Sequence, residues 1–198
     1  MDSQTTNFVL AGVGGQGILL ASDLLGLVGM EMGFDVKRSE IHGMAQRGGS
    51  VSSHVRWGEV VWSPLISPGE VDYLIGFERL EALRCAQLLR PGGTILIGDH
   101  RIPPVSVSSG SQVYPSQAQE GAAYAGANQR PVYVPSVDLA KRIGQVRVHN
   151  VVMLGALSAF LDVPDQIWLE VISRRVPECY KELNREAFSA GRAYVARR

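Results

Sequence analysis

The chain has 198 residues, of which 19 are basic and 19 acidic, so its formal net charge is zero at pH 7. A neutral chain has no long-range field that would favour nucleic acid or an anionic membrane as a partner. With 45% apolar and 19% charged residues, the composition excludes an intrinsically disordered protein. The length suits a single domain over residues 1–198.

Membrane and metal-binding classes are also disfavoured. The N-terminus is polar and lacks the apolar core of a signal peptide, and the apolar run Ile18–Leu27 is interrupted by Ser22 and Asp23. We therefore expect a cytoplasmic chain without a membrane span. The two cysteines, Cys85 and Cys179, lie far apart and match no zinc or iron–sulfur spacing, so no metal site is expected.

The first elements in chain order are a strand, a glycine-rich loop and a helix. An apolar run at Phe8–Ala11 enters a loop with glycines at positions 12, 14, 15 and 17, and the apolar stretch Ile18–Met32 follows. This order places a helix N-terminus at the carboxyl end of a parallel strand, where backbone N–H groups can meet an anion. A second strand is predicted at Phe34–Lys37, followed by a loop at Ser39–Gly49.

A third strand is predicted at Ser50–Trp57, because apolar and polar residues alternate there. Gly58-Glu59 can turn this strand back into Val60–Trp62, which would make a hairpin insertion. Central strands are predicted at Val71–Phe77 and Thr94–Gly98, and short strands at Val105–Val107 and Val132–Val134. Helices are predicted at Glu78–Leu89, Ser116–Gly126, Val137–Ile143, His149–Leu161, Pro164–Ser173 and Glu178–Ala196. The fold class is therefore α/β: a Rossmann-like three-layer domain with a largely parallel sheet, a hairpin insertion and C-terminal helices.

Two loops are predicted to share the carboxyl edge of this sheet, where open α/β sheets bind ligands. The strongest candidate side chain is Arg47, because a guanidinium flanked by glycines can present its fork to a phosphate or carboxylate. The alternative is a surface loop that is tied down by an intrachain ion pair with Glu40. The candidate residues of the two loops are Gly12, Gly14, Gly15, Gln16, Gly17, Glu40, His42, Gln46, Arg47, Gly48 and Gly49.

The spacing Gly12-x-Gly14-x-x-Gly17 also fits the dinucleotide-binding fingerprint. That interpretation needs an acid at the end of the second strand, but Asp35 lies near its beginning and Glu40 falls in the following loop. Three interpretations stay open on the residues alone. The loop serves a stand-alone dinucleotide-binding oxidoreductase, or it is a turn that lets the first helix pack, or it binds another phosphate or a partner's loop.

Two long motifs resemble a known family. Ala-Gly-Val-Gly-Gly-Gln-Gly-Ile-Leu-Leu-Ala at 11–21 and Ser-Glu-Ile-His-Gly-Met-Ala-Gln-Arg-Gly-Gly-Ser-Val-Ser-Ser-His-Val-Arg at 39–56 are similar to the gamma-type domain of 2-oxoacid:ferredoxin oxidoreductases. The His-Gly-Met-Ala-Gln-Arg-Gly-Gly version is most similar to the beta subunits of the indolepyruvate branch. Pyruvate and 2-oxoglutarate relatives more often read Tyr-Gly-x-Glu-x-Arg-Gly-Gly there. The similarity continues through Phe77–Arg84, Pro91–Thr94 and Asn150–Leu157.

The resemblance implies an enzyme that oxidatively decarboxylates a 2-oxoacid, passes electrons to ferredoxin and forms an acyl-CoA. In the indolepyruvate branch, thiamine diphosphate, magnesium and the iron–sulfur clusters belong to a larger alpha subunit. This chain would then bind no cofactor of its own, would be inactive alone, and would meet coenzyme A as a co-substrate. Another 2-oxoacid (pyruvate, 2-oxoglutarate or branched-chain) is the alternative substrate.

The same resemblance implies a partner-shaped surface. We expect the isolated chain to form a homodimer, because a face shaped for the alpha subunit would otherwise be exposed. We also hypothesise that Arg47, helped by His42 and Gln46, faces the alpha subunit's active-site mouth. There it would hold an anionic part of the 2-oxoacid or of coenzyme A.

Overall fold

The computed structural model describes residues 5–43 and 48–197, apart from the side chain of His42. The strands are β1 (Thr6–Val13), β2 (Asp35–His42), β3 (Ser50–Gly58), β4 (Val71–Gly76), β5 (Leu89–Gly98) and β6 (Val132–Val134). The helices are α1 (Ile18–Glu31), α2 (Arg79–Cys85), α3 (Val105–Ser108), α4 (Gln117–Gly126), α5 (Ser136–Ile143), α6 (His149–Ser158), α7 (Asp165–Arg175) and α8 (Lys181–Ala196). Short 3-10 turns occupy Ala86–Leu88, Val146–Val148 and Glu178–Tyr180.

The described strands form one six-stranded sheet in the order β2-β3-β1-β4-β5-β6. β1, β4, β5 and β6 are parallel neighbours, whereas β3 is antiparallel to both β1 and β2. Every strand except β3 therefore ends at the same edge, which we call the C-terminal edge. The strand order reverses between β1 and β4, and such a reversal is where open α/β sheets form a crevice.

Helices cover both faces of the sheet, which gives the three layers predicted from the sequence. On one face α1 and the C-terminal helices pack over Phe8, Leu10 and Ile75, and on the other α2 and α4 pack over Val9 and Leu74. Helix α6 is buried along its whole length, because α1, α5 and α8 surround it. Because β1 and β4 are buried on both faces of the sheet, their sequences are nearly continuous apolar runs.

The hairpin differs from the prediction. β2 does not stop at Lys37 but continues to His42, and it forms the hairpin with β3. Residues 60–62 do not form the predicted return strand. The backbone N–H of Val61 donates instead to Asp35 Oδ2 at 2.8 Å, and the guanidinium of Arg56 donates to the carbonyls of Ser63 and Leu65. These hydrogen bonds hold the segment as a loop.

The prediction missed the second half of β2 because an edge strand with partly exposed faces shows no clean apolar alternation. A second error concerns Val105–Val107, where β-branched residues favoured a strand. This segment begins the single helical turn α3, which starts after Pro104 and leaves Val105 80% exposed. β5 also begins earlier than predicted, at Leu89. The helix predicted at Glu78–Leu89 ends at Cys85 and is followed by the 3-10 turn Ala86–Leu88. The other predicted helices and strands are confirmed, with small shifts at their ends.

None of the helices within the described ranges is both long and apolar enough to cross a membrane.

Candidate functional site

The glycine loop connects β1 to α1 at the C-terminal edge. Positive φ angles within it fall on Gly15 (103°) and Gly17 (76°), a conformation that favours glycine. Gly12 is required for a different reason. A Cβ there would lie 2.7 Å from Gln16 Oε1 and 2.9 Å from Phe77 Cβ, so the end of β1 has no room for a side chain.

Gln16 is buried and its side chain joins two strands. Its Oε1 accepts from the backbone N–H of Val13 at 2.8 Å, and its Nε2 donates to the carbonyl of Phe77 at 2.9 Å. The amide therefore links the end of β1 to the end of β4, across the point where the strand order reverses. This side chain positions the loop, and its amide is occupied by contacts within the chain.

No described side chain caps the start of α1, and its first turn contains no acidic residue. Its first N–H groups are the positive end of a helix dipole and can bind an anion. Asn150 Nδ2 donates to the carbonyl of Gly17 at 3.3 Å, which ties this turn to α6. A shallow cavity of about 400 Å³ lies alongside. It is lined by Gly14, Gly15, Gly17, Ile18, Leu19, Leu20 and Val51.

The described ends of the loop between β2 and β3 lie beside the glycine loop. The backbone N–H of Gly14 donates to the carbonyl of Gly49 at 2.9 Å, and Gly43 N–H donates to the carbonyl of Ser50 at 3.0 Å. Gly48 has a φ of 75°. The prediction that both candidate loops share one edge is therefore confirmed for their described residues.

The structure places some of the predicted side-chain candidates of this loop in β2 and does not describe the others. Glu40 lies within β2 rather than in a loop, and its carboxylate is 3.7 Å from the guanidinium of Arg38. His42 ends the same strand. Gln46 and Arg47 lie outside the described residues.

Ser50 and Glu81 hold the base of this loop, and neither was among the candidate site residues predicted from the sequence. Glu81 is 4% exposed, and its carboxylate accepts from the hydroxyl of Ser50 and from the guanidinium of Arg84, both at 2.6 Å. The contact joins the first residue of β3 to α2. The only sequence signal was an acid in the first turn of a helix that follows a central strand, which is equally typical of dipole compensation.

The sheet order also bears on the dinucleotide interpretation. In a dinucleotide-binding fold the strand beside β1 is parallel and ends in the acid that binds the ribose. Here the neighbour is antiparallel β3, whose residue at that edge is Ser50, and β2 with Glu40 lies one strand further out. The fingerprint glycines are therefore present without the neighbouring strand end that this cofactor requires.

The comparisons with known proteins agree with this architecture. The family model for pyruvate ferredoxin/flavodoxin oxidoreductase matches residues 7–194. The chain belongs to this family. It is 38% identical over 188 residues to the indolepyruvate oxidoreductase subunit IorB of Pyrococcus horikoshii, covering 93% of each chain, and 35% identical to that of Archaeoglobus fulgidus, covering 93% of this chain and 92% of that one.

Solved structures of the oxidoreductase family share the fold. The gamma subunit of a keto/oxoacid ferredoxin oxidoreductase from Geobacter sulfurreducens matches with a TM-score of 0.72 at 24% identity, covering 98% of this chain and 99% of that chain. A 2-oxoglutarate:ferredoxin oxidoreductase from Magnetococcus marinus matches with a TM-score of 0.76 at 21% identity. This chain is covered in full there, but it spans only 32% of that chain.

The donor groups of this oxidoreductase chain do not fit the metal cofactors that the resemblance implies. Two cysteines in the sequence cannot supply the four thiolates of an iron–sulfur cluster. Burial, reinforced by the charge of Glu81, raises the pKa of Cys85 to about 11, so that its thiol stays protonated, while Cys179 is exposed. Within residues 5–43 and 48–197, no three His, Cys, Asp or Glu side chains are grouped to hold a metal ion.

A buried ionic network stabilises the same edge on the far side of α2. Arg79 is 6% exposed, and its guanidinium donates to Glu120 Oε2 at 2.8 Å and to Asp99 Oδ1 at 3.0 Å. Glu78, which is fully buried, caps α2 by accepting from the N–H of Glu81 and also accepts from the hydroxyl of Tyr114. The network ties the irregular segment after β5 to the sheet. Its partners lie so far apart in the sequence that no local sequence pattern predicts their pairing.

His149 lies at the start of α6 with its ring edge-on to Phe77, at a centroid distance of 6.2 Å. It is 7% exposed, and no hydrogen bond to Nδ1 is present among the described residues. Burial, with a smaller contribution from the neighbouring His100, lowers the pKa of His149 to about 4. The imidazole is therefore neutral at pH 7.

We expect this histidine to make the chain less stable in mild acid. Between pH 6.5 and about 4 the unfolded chain binds a proton at His149 that the folded chain does not, so the free energy of unfolding should fall as the pH is lowered. The full effect is up to about 3 kcal/mol. Urea unfolding of the wild type and of His149→Leu across this range measures it. A difference between the two that stays constant with pH would contradict the assignment.

Proposed function

We propose that this chain is the beta subunit of an indolepyruvate:ferredoxin oxidoreductase. The observation that carries the proposal is the identity of 35–38% to four subunits named IorB, over at least 92% of each of those chains. The 2-oxoglutarate synthase subunit KorC of Methanothermobacter marburgensis is more distant, at 26% identity. The aromatic 2-oxoacid is therefore the favoured substrate.

In the proposed reaction the 2-oxoacid loses carbon dioxide and an electron pair, and its acyl group is transferred to the thiol of coenzyme A. The electrons pass to ferredoxin. We place thiamine diphosphate, magnesium and the iron–sulfur clusters in a larger alpha subunit. For the clusters the support is that two cysteines in this chain cannot supply four thiolates. Support for coenzyme A comes from the Magnetococcus marinus relative, which was solved with 2-oxoglutarate, coenzyme A and succinyl-CoA bound.

The contribution of this chain is made at the C-terminal edge. The uncapped start of α1 and the loop between β2 and β3 lie side by side there, joined by the hydrogen bond from Gly14 to Gly49. The first offers backbone N–H groups and the second carries Arg47 in its sequence, and both suit an anionic ligand. We place the active-site mouth of the alpha subunit at this edge, against the glycine loop and the described ends of the loop between β2 and β3.

The proposal is tested by co-expressing the chain with the large subunit from the same genome and purifying the complex without oxygen. Reduction of a viologen dye is then measured with indolepyruvate, hydroxyphenylpyruvate, pyruvate and 2-oxoglutarate, with and without coenzyme A. We expect turnover that requires both chains and coenzyme A, and a kcat/KM for indolepyruvate at least roughly tenfold above that for pyruvate, which corresponds to about 1.4 kcal/mol of discrimination.

Preference for pyruvate or 2-oxoglutarate would contradict the substrate assignment. Reduction of a nicotinamide dinucleotide by the isolated chain would favour the dinucleotide alternative. Iron and acid-labile sulfide in stoichiometric amounts in the isolated chain would show that the cofactors had been assigned to the wrong subunit.

A second experiment on the same complex addresses Arg47, which we propose holds an anionic part of the 2-oxoacid or of coenzyme A. Arg47→Lys keeps the charge but loses the bidentate geometry, so it should raise KM. Arg47→Ala should cost about 2–3 kcal/mol in kcat/KM, the range for a hydrogen bond to a charged group. Arg185→Ala is the control, because Arg185 is an exposed residue of α8 paired with Glu182.

The rival role for Arg47 is an ion pair that only stabilises the loop. That role predicts a lower melting temperature for Arg47→Ala with unchanged kinetics of the surviving complex. This pattern would remove Arg47 from the proposed site.

A further inference from the structure

Among the described residues, no strand pairs with the outer edge of β2. β2 is the terminal strand of the sheet in the described part of the chain, and its inner side pairs with β3 over all eight residues, from Asp35 opposite Gly58 to His42 opposite Val51. The register is continuous, without a bulge, and the strand contains no proline. A long regular edge of this kind is a template for pairing with another strand.

Apolar side chains flank this edge. Ile41 on the strand is 50% exposed, Phe34 just before it is 40% exposed, and Met30 at the end of α1 is 62% exposed. Phe34 is held in place by stacking on Trp57, with ring centroids 5.9 Å apart. Exposed apolar groups beside an open strand edge are typical of a surface that another chain covers.

The charges at the centre of β2 are self-complementary about Ser39, because Arg38 and Glu40 flank it. We propose that β2 pairs antiparallel with β2 of a second copy of this chain, about a two-fold axis through Ser39. An axis perpendicular to the sheet leaves each side chain on its own face, so a residue opposes one that is an even number of positions away. In this register Arg38 lies opposite Glu40 of the second copy, and the symmetry makes this ion pair twice.

Neighbouring registers either oppose like charges or overlap fewer strand residues. An axis through Arg38 opposes two guanidinium groups, and an axis through Glu40 opposes two carboxylates; like charges directly opposite each other are destabilising. An axis through Val36 opposes Asp35 and Lys37 but overlaps only three strand residues, against seven for the axis through Ser39. The register through Ser39 therefore combines long overlap with opposite charges.

The side chain of Arg38 is positioned by contacts within its own chain and can accept this additional partner. Its Nη1 donates to Asp23 Oδ1 at 2.8 Å, and its Nη2 lies 3.7 Å from Glu40 Oε1 of its own strand. Both Arg38 and Glu40 side chains are about one-third exposed, at 31% and 33%. A guanidinium has five N–H donors, so it can bind a second carboxylate without giving up the contact with Asp23.

A cysteine at the proposed axis tests the register directly. With Cys179→Ser as background, because Cys179 is exposed, Ser39→Cys should form a disulfide-linked dimer under mild oxidation. Opposed residues of an antiparallel pair have Cα atoms about 4.5–5.5 Å apart, which a disulfide can bridge. Lys37→Cys is the matched control, since the two copies of residue 37 would be about 14 Å apart and should not cross-link.

Charge reversal tests the ion pair without any cysteine chemistry. Arg38→Glu and Glu40→Arg should each weaken dimerisation by roughly tenfold in sedimentation equilibrium, because each opposes like charges twice. The double variant Arg38→Glu, Glu40→Arg should recover the wild-type dissociation constant to within about threefold. Melting temperatures separate loss of the dimer from loss of the fold.

Three outcomes would overturn the proposal. They are a wild-type chain that stays monomeric at high micromolar concentration, cross-linking of the Lys37→Cys variant but not of the Ser39→Cys variant, and a dimer that is indifferent to charge reversal. These measurements need no catalytic activity, so they succeed or fail independently of the proposed function.

Discussion

The side-chain amide of Gln16 joins the ends of β1 and β4, and the geometry of the C-terminal edge depends on it. It accepts from the N–H of Val13 at 2.8 Å and donates to the carbonyl of Phe77 at 2.9 Å, and the residue is only 6% exposed. A buried polar group that loses its partner costs roughly 1–3 kcal/mol, so the loop has one favourable arrangement. The close contact at Gly12 and the start of α1 both follow from that arrangement.

The neighbouring loop is held from two sides by this framework. Gly14 donates to the carbonyl of Gly49, and the carboxylate of Glu81 on α2 accepts from Ser50. The glycine loop, the base of the β2–β3 hairpin and α2 thus form one platform at the edge of the sheet. A rigid platform is what a subunit needs if it completes a site whose cofactors belong to another chain, because positioning is then its main contribution.

The sequence predicted the parts of this platform that have a local signature. Apolar runs located β1 and β4, and the glycines located the turn into α1, because each of these signals depends on near neighbours. The contacts that join the parts could not be predicted: Gln16 and Phe77 are 61 residues apart, and Ser50 and Glu81 are 31 apart. The second half of β2 was missed because an edge strand is only partly buried. The resemblance of residues 39–56 identified the family, although residues 39–49 carry no periodic structural signal.

The central claim is that the C-terminal edge meets the proposed larger subunit, and hydrogen–deuterium exchange of the isolated chain and of the co-expressed complex tests it most directly. The account predicts that complex formation slows exchange in the glycine loop, over residues 12–20, and in the hairpin loop, over residues 42–50. The opposite edge of the sheet, around residues 90–93 and 128–131, should be unchanged. Protection at that opposite edge, with both loops exchanging as in the isolated chain, would contradict the account.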